Sequence, residues 1–235
     1  MNLRTLLLLA MWPGSSGHAQ TPPVTSVILS PAAVAALLPD ASRPALSLIY
    51  PIFRVYKNTD KTGVSYCVLM ESRDRLDEEK EPISSRIKAV TLRQNGSQLS
   101  KSWKVNDYLV AEKKEQSIWF WTKFASFQDY DHDAVIDPIL VYGTAARGAD
   151  DGRIKIIIYY RGQKIVLRHQ NGDLDVQRNI QVDKAFYGLP APLQAAVRQK
   201  LALIEKNNLT LLPNGWQQAM AKKATFINDS FYSSK

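Results

Sequence analysis

Arg153-Ile154-Lys155-Ile156-Ile157-Ile158-Tyr159-Tyr160, then Arg161-Gly162, then Gln163-Lys164-Ile165-Val166-Leu167-Arg168-His169: this stretch decides the fold. Two β-branched and aromatic runs of strand length flank a two-residue turn that ends in glycine. That pattern pairs them as an antiparallel hairpin. Asn171-Gly172 closes the run with a second turn signal. Upstream, Asn95-Gly96 joins runs over 87–94 and 97–105, the strongest short hairpin signal in the chain. Further strands are expected over 46–57, where Pro51 implies an edge or a bulge, and over 64–71, 117–127 and 138–144. Residues 58–63 read as the turn of a hairpin. The stretch 72–82, almost entirely charged, reads as an exposed loop.

The two flanks change period. Ser30-Pro31 supplies an N-cap followed by proline in the first turn, opening a short Ala/Leu helix through Leu38. Near the C-terminus, Leu193, Val197, Leu201 and Ile204 mark one apolar helical face. A second short helix is expected over 215–223, with Trp216 and Met220 four apart. The expected architecture is α+β: one antiparallel β meander of about seven or eight strands, a short N-terminal helix and C-terminal helices. Residues 30–235 form a single domain in this reading, preceded by a flexible leader over 20–29.

Residues 1–19 have the pattern of a secretion signal. Arg4 gives a positive start, Leu6-Leu7-Leu8-Leu9-Ala10-Met11-Trp12 an apolar core, and Gly17-His18-Ala19 the small residues of a cleavage site. The apolar run is far short of the roughly 20 residues a bilayer span needs. The expectation is export to the periplasm with no membrane span.

The 235-residue chain carries a net charge of +8 and one cysteine. A single thiol makes no internal disulfide, so core burial must hold the fold. Cys67 sits in the apolar run Val64-Ser65-Tyr66-Cys67-Val68-Leu69-Met70, which suits a buried structural thiol. The positive charge suits an acidic protein or an anionic polysaccharide. Nucleic acid is disfavoured as a partner: the basic residues are scattered, and no Arg-rich helix or aromatic RNA-binding motif is present.

One motif stands above background: Asp129-Tyr130-Asp131-His132-Asp133-Ala134-Val135-Ile136-Asp137. Carboxylates at loop positions 1, 3, 5 and 9, with the Val135 carbonyl at position 7, can converge on one hard cation. The candidate metal ligands are therefore Asp129, Asp131, Asp133, Val135 and Asp137, and the cation is Ca2+. The loop resembles the DxDxDG calcium loops of integrin-like extracellular β-repeats. It departs from them at Ala134, where glycine would serve the sharp turn, and a left-handed alanine costs about 1 kcal/mol or more.

Catalytic groups are sparse. Beyond His18, the histidines are His132, inside the acidic loop, and His169, at a strand end. Neither sits beside a nucleophile elbow, and no phosphate-binding or dinucleotide-binding glycine pattern occurs. A carboxylate pair such as Glu71 and Asp74 has only proximity to recommend it. Trp119, Trp121, Tyr159, Tyr160, Tyr187 and Trp216 suit core packing more than a sugar-stacking platform. The expectation is a protein that is not an enzyme, with a hydrolase as a remaining option.

Several segments together carry a wider resemblance. They are Trp119-Phe120-Trp121-Thr122-Lys123-Phe124, the acidic loop, Val141-Tyr142-Gly143-Thr144, Asp151-Gly152-Arg153-Ile154-Lys155-Ile156, Arg168-His169-Gln170-Asn171-Gly172 and Val182-Asp183-Lys184-Ala185-Phe186. With Tyr50-Pro51-Ile52-Phe53 and Gly215-Trp216-Gln217, they resemble a family of exported bacterial proteins labelled as surface-polysaccharide-biosynthesis proteins. Members of such families also occur beside type VI secretion genes. The resemblance implies a periplasmic immunity protein that inhibits a secreted toxin. Its alternative is a calcium-dependent accessory or glycan-binding protein in surface polysaccharide biosynthesis. It implies no catalytic residue.

Overall fold

The computed structural model describes residues 23–113, 115–146 and 152–229. The signal expected over 1–19 lies outside the described residues. The chain opens with β1 (Thr25–Ile28), α1 (Pro31–Leu37), β2 (Ile52–Asp60) and β3 (Gly63–Glu71). A two-residue pair, β4 (Arg75–Leu76) with β5 (Pro82–Ile83), precedes β6 (Arg86–Asn95) and β7 (Gln98–Tyr108). Then come β8 (Glu115–Phe120), β9 (Ser126–Gln128), β10 (Asp137–Ala146), β11 (Arg153–Tyr160), β12 (Gln163–Gln170) and β13 (Asn179–Val182). Helices α2 (Ala191–Lys206) and α3 (Trp216–Ala221) follow, and β14 (Phe226–Asn228) ends the described chain.

Strands dominate, every pairing is antiparallel, and helices are few. The single meander expected from the sequence is instead two main sheets. One has five strands in the order β1-β2-β3-β6-β7; the other has seven, in the order β14-β13-β12-β11-β10-β8 with β9 also on β10. The break falls after Tyr108, where a short 3-10 turn at Ala111–Lys113 carries the chain into the second sheet. Short edge strands were invisible as periodicity because three or four residues hold no full pattern.

The leader expected over 20–29 needs correction. Thr25–Ile28 is strand β1, with Thr25 opposite Thr59 and Ile28 opposite Tyr56. All four of its residues are exposed. Their β-branched composition and the open edge of β2 explain the pairing without any burial of side chains. The strand expected from residue 46 starts only at Ile52. The preceding residues turn, with Leu46 and Leu48 N–H groups both donating to the Arg43 carbonyl at 3.1 and 2.9 Å. The charged loop over 72–82 contains the β4–β5 pair. The strand expected over 117–127 divides, because Phe124 N–H bonds back to the Trp121 carbonyl at 2.9 Å in a turn between β8 and β9.

The Arg153–His169 hairpin is β11 and β12, with Tyr160 opposite Gln163. Its turn has φ +47° at Arg161 and +77° at Gly162, the two positive angles that a twist-compatible two-residue turn requires. The two faces of β11 go to different cores. Ile154, Ile156 and Ile158 pack with Leu193, Val197, Leu201, Ile204 and Trp216 of the helices. Ile157 and Tyr159 pack with Tyr56, Cys67, Leu69 and Ile87 of the other sheet. A third cluster, including Leu38, Val55, Val68 and Leu92, covers the outer face of the five-stranded sheet beneath α1. The layers are therefore helix, sheet, sheet, helix. Among the described residues, no helix is long and apolar enough to cross a membrane.

Candidate metal centre

Residues 129–136 connect β9 to β10, whose ladder starts at Gln128 opposite Asp137. Short-range side-chain bonds wind the loop. Asp129 accepts the N–H groups of Asp133 at 3.0 Å and Ala134 at 2.8 Å, and Asp133 accepts that of Val135 at 2.9 Å. Asp137, at the start of β10, accepts the Tyr130 N–H at 3.1 Å and so closes the loop. These are the local bonds by which aspartate displaces regular backbone pairing. Two residues take left-handed backbone angles, His132 at φ +60° and Ala134 at φ +63°. Ala134 therefore adopts the glycine-like conformation its position demands. Bonds to Asp129 and from the Lys61 N–H (3.0 Å, to its carbonyl) hold it there.

The winding brings Asp129, Asp131 and Asp137 together: one carboxylate oxygen from each lies within 4.8 Å of the other two. Oxygens sharing one calcium at about 2.4 Å can be at most about 4.8 Å apart, so the three fit a common ion. Asp133 does not join them. Its Oδ1 caps Val135, and its Oδ2 lies 3.5 Å from an Arg161 nitrogen. Val135 has its N–H committed to Asp133. Asp137 is buried, and burial together with the charges of Asp131, Asp133 and Asp129 pushes its carboxyl up to about 6. Burial is the larger cause and the neighbouring aspartates the smaller, so the ionised form of Asp137 would be favoured by a nearby cation. Calcium takes six to eight oxygens, so three carboxylates leave room for water and loop carbonyls.

Both sheets reach the loop. From the β2–β3 turn, Asp60 Oδ2 accepts the Ile136 N–H at 3.1 Å, and the Lys61 ammonium donates to the Asp133 carbonyl. From the β11–β12 turn, the Tyr160 hydroxyl donates to Asp131 at 2.8 Å, and Arg161 lies 3.5 Å from Asp131. The loop is thus the meeting point of two hairpin tips. Nothing local marks Asp60 as part of this site, because its partner lies 76 residues away.

A buried ion cluster sits at the opposite end of β11. Arg153 pairs with Glu115 at 2.6 Å and Asp107 at 2.8 Å, and donates to the Tyr108 carbonyl at 2.6 Å. Asp107 also takes Lys155 at 2.7 Å, so β7 of one sheet is bound to β8 and β11 of the other.

The reactive candidates are sealed. Cys67 is fully buried, and burial pushes its thiol up to about 12. His169 is 3% exposed, with Nδ1 2.9 Å from the Asn179 carbonyl and Nε2 2.7 Å from the Thr210 hydroxyl. Burial drives its pKa down to about 4, so the ring is neutral at physiological pH. A neutral ring donates from Nδ1 to that carbonyl and accepts from Thr210.

An open cleft of about 910 Å³ lies between the β4–β5 hairpin and the start of β8. Phe53 and Trp119 contribute its aromatic wall, and Glu71 lines it from the end of β3. Trp119 is 37% exposed, whereas Trp121 packs against the helix-side core. The sequence placed Glu71 and Trp119 among candidates but held nothing to join them.

No family model matches the chain, and neither does any curated protein or solved structure.

Proposed function

We propose that this chain is an exported, calcium-loaded binding protein and not an enzyme, most concretely a periplasmic inhibitor of a secreted toxin. The observation that carries the reading is the convergence of Asp129, Asp131 and Asp137 where hairpin tips of the two sheets meet. A cation there stiffens a frame, which suits a surface that must be presented rigidly to a partner. It needs no reacting group, and the burial of Cys67 and His169 supports the same direction. The signal pattern over 1–19 supplies the compartment, where free calcium is high enough to fill a site strained at Ala134. The net charge of +8 favours a partner that is acidic overall.

The chain would act by occupancy: calcium fixes the loop, the loop fixes the hairpin tips, and the assembled surface covers its target. Capture of partners from periplasm by the tagged chain, in calcium and in chelator, tests this. A protein recovered in calcium and lost in chelator is the expected result. Recovery of polysaccharide alone would replace the inhibitor with a second reading, a glycan-binding accessory of surface-polysaccharide assembly. The exposed Trp119 beside Phe53 is the observation that favours that second reading.

A further inference from the structure

The cleft between the β4–β5 hairpin and β8 has a chemistry unlike the rest of the surface. The chain as a whole carries +8, yet five carboxylates line this cleft against two guanidiniums. Four of the carboxylates, Asp77, Glu78, Glu79 and Glu81, come from the β4–β5 turn. Asp77 is spent on its own turn, accepting the Glu81 N–H at 2.7 Å. Glu78, Glu79 and Glu81 have no ion pair within the described residues. Arg73 and Arg75 are the two guanidiniums. Arg73 lies 5.9 Å from the Phe53 ring centre and has a left-handed backbone, φ +49°.

The fifth carboxylate belongs to Glu71, which is only 6% exposed. One of its oxygens accepts the Phe120 N–H at 3.0 Å; the other has no hydrogen-bond or ion-pair partner among the described residues. This carboxyl borders an open cavity with an indole in its wall, and the guanidiniums of Arg73 and Arg54 act on it from a distance without pairing with it. Carboxylates together with an aromatic face are the combination that recognises an organic cation. The acids supply charge and acceptors, and the ring supplies its negative face.

We infer that this cleft binds an alkylammonium group, presented as a lysine side chain on a basic polypeptide segment. The lysine seats its ammonium towards the free oxygen of Glu71 and its methylene stem along Trp119, while Glu78, Glu79 and Glu81 draw the flanking basic residues. An anionic or neutral sugar is the poorer match, because the turn repels anions and a neutral ring leaves the excess charge unpaired. The inference rests on the binding-protein reading and specifies the chemistry of one contact; an acidic partner surface with a local basic segment satisfies both.

The test uses the full exported chain and a capped peptide of alternating lysine and glycine, followed by fluorescence anisotropy at low and physiological salt. Binding is expected, weakening as salt rises. The exposed triple variant Glu78→Gln/Glu79→Gln/Glu81→Gln should lose about tenfold in affinity at low salt and flatten the salt dependence. Glu71→Gln and Trp119→Ala should each weaken binding, the first without loss of fold because glutamine still accepts from Phe120. Competition by cadaverine would show that the ammonium alone suffices, and its failure to compete would assign the contact to the polypeptide. The inference is overturned if the peptide does not bind, if its lysine-acetylated form binds equally, if the triple variant is unchanged, or if a neutral oligosaccharide binds better. Such a failure leaves partner capture untouched, since that experiment reads the whole surface and this one the cleft alone.

Discussion

Asp60 Oδ2 accepts the N–H of Ile136 at 3.1 Å, joining the tip of the β2–β3 hairpin to the acidic loop of the other sheet. Asp60 Oδ1 meanwhile takes both the N–H and the hydroxyl of Thr62, at 2.7 and 2.6 Å. One buried carboxylate thus closes its own turn and holds the candidate metal loop. Asp60→Ala is expected to cost about 1–3 kcal/mol, since it leaves the buried Ile136 N–H without a partner. Denaturant midpoints measured with and without calcium check this, and the calcium-dependent part should shrink in the variant. An unchanged midpoint would place the loop's support elsewhere.

Ala134 sits at φ +63°, a conformation glycine adopts freely. Ala134→Gly should relieve about 1 kcal/mol of backbone strain, partly offset by the greater freedom of glycine in the unfolded chain. The readout is calcium affinity by titration calorimetry, which should tighten. Weaker binding would mean that the alanine methyl group contributes contacts worth more than the strain.

The ion cluster around Arg153 offers a larger effect. Its Glu115 partner is buried and also accepts the Thr144 hydroxyl at 3.1 Å. Arg153→Ala leaves the buried Glu115 without a cation and Asp107 with Lys155 alone, and is expected to cost about 3–5 kcal/mol. Urea unfolding of the variant measures it, and a loss below about 1 kcal/mol would show that water reaches the cluster.

Two groups give the pH dependence opposite signs. The folded-state pKa of His169 is lowered to about 4, below its unfolded value, so its contribution to stability is lost as pH falls from about 6.5 to 4. For a group this buried, the loss amounts to roughly 3 kcal/mol. The folded-state value of Asp137 is raised to about 6, so without calcium its contribution is present at low pH and disappears as pH rises through 6. Calcium needs the ionised form, so affinity should fall as pH drops through the same value. Unfolding curves from pH 4 to 7 for His169→Gln and Asp137→Asn separate the two: the first should flatten the acid loss, the second should deepen it. Parallel curves for both variants and the parent would refute both assignments.

What the sequence revealed follows the range of the interactions. The Arg161-Gly162 turn is local, and its two positive backbone angles were readable from two residues, whereas the Asn95-Gly96 signal marked the right hairpin one residue early: Asn95 ends β6 opposite Gln98 and the turn is Gly96-Ser97. The apolar stripe of Leu193, Val197, Leu201 and Ile204 was likewise a periodic signal that needs no partner to be seen. The acidic loop was legible as spacing, but its geometry was not. Asp133 reads as the equal of its neighbours until the loop winds, and then it caps Val135 while Asp137 turns inward. The division into two sheets was hidden because β11 is apolar on both faces. A continuous run such as Ile156-Ile157-Ile158 does not say which neighbours lie on which side. Asp60 and Glu71 were missed as partners because what they touch lies 76 and 49 residues away. No periodicity crosses such a distance.

Thermal unfolding of the purified chain in calcium and in chelator reads directly whether the acidic loop holds calcium. Calcium should raise the melting temperature, the more so as its concentration rises, with no such rise in Asp129→Ala or Asp137→Asn. Identical melting in calcium and in chelator would contradict calcium binding by the loop.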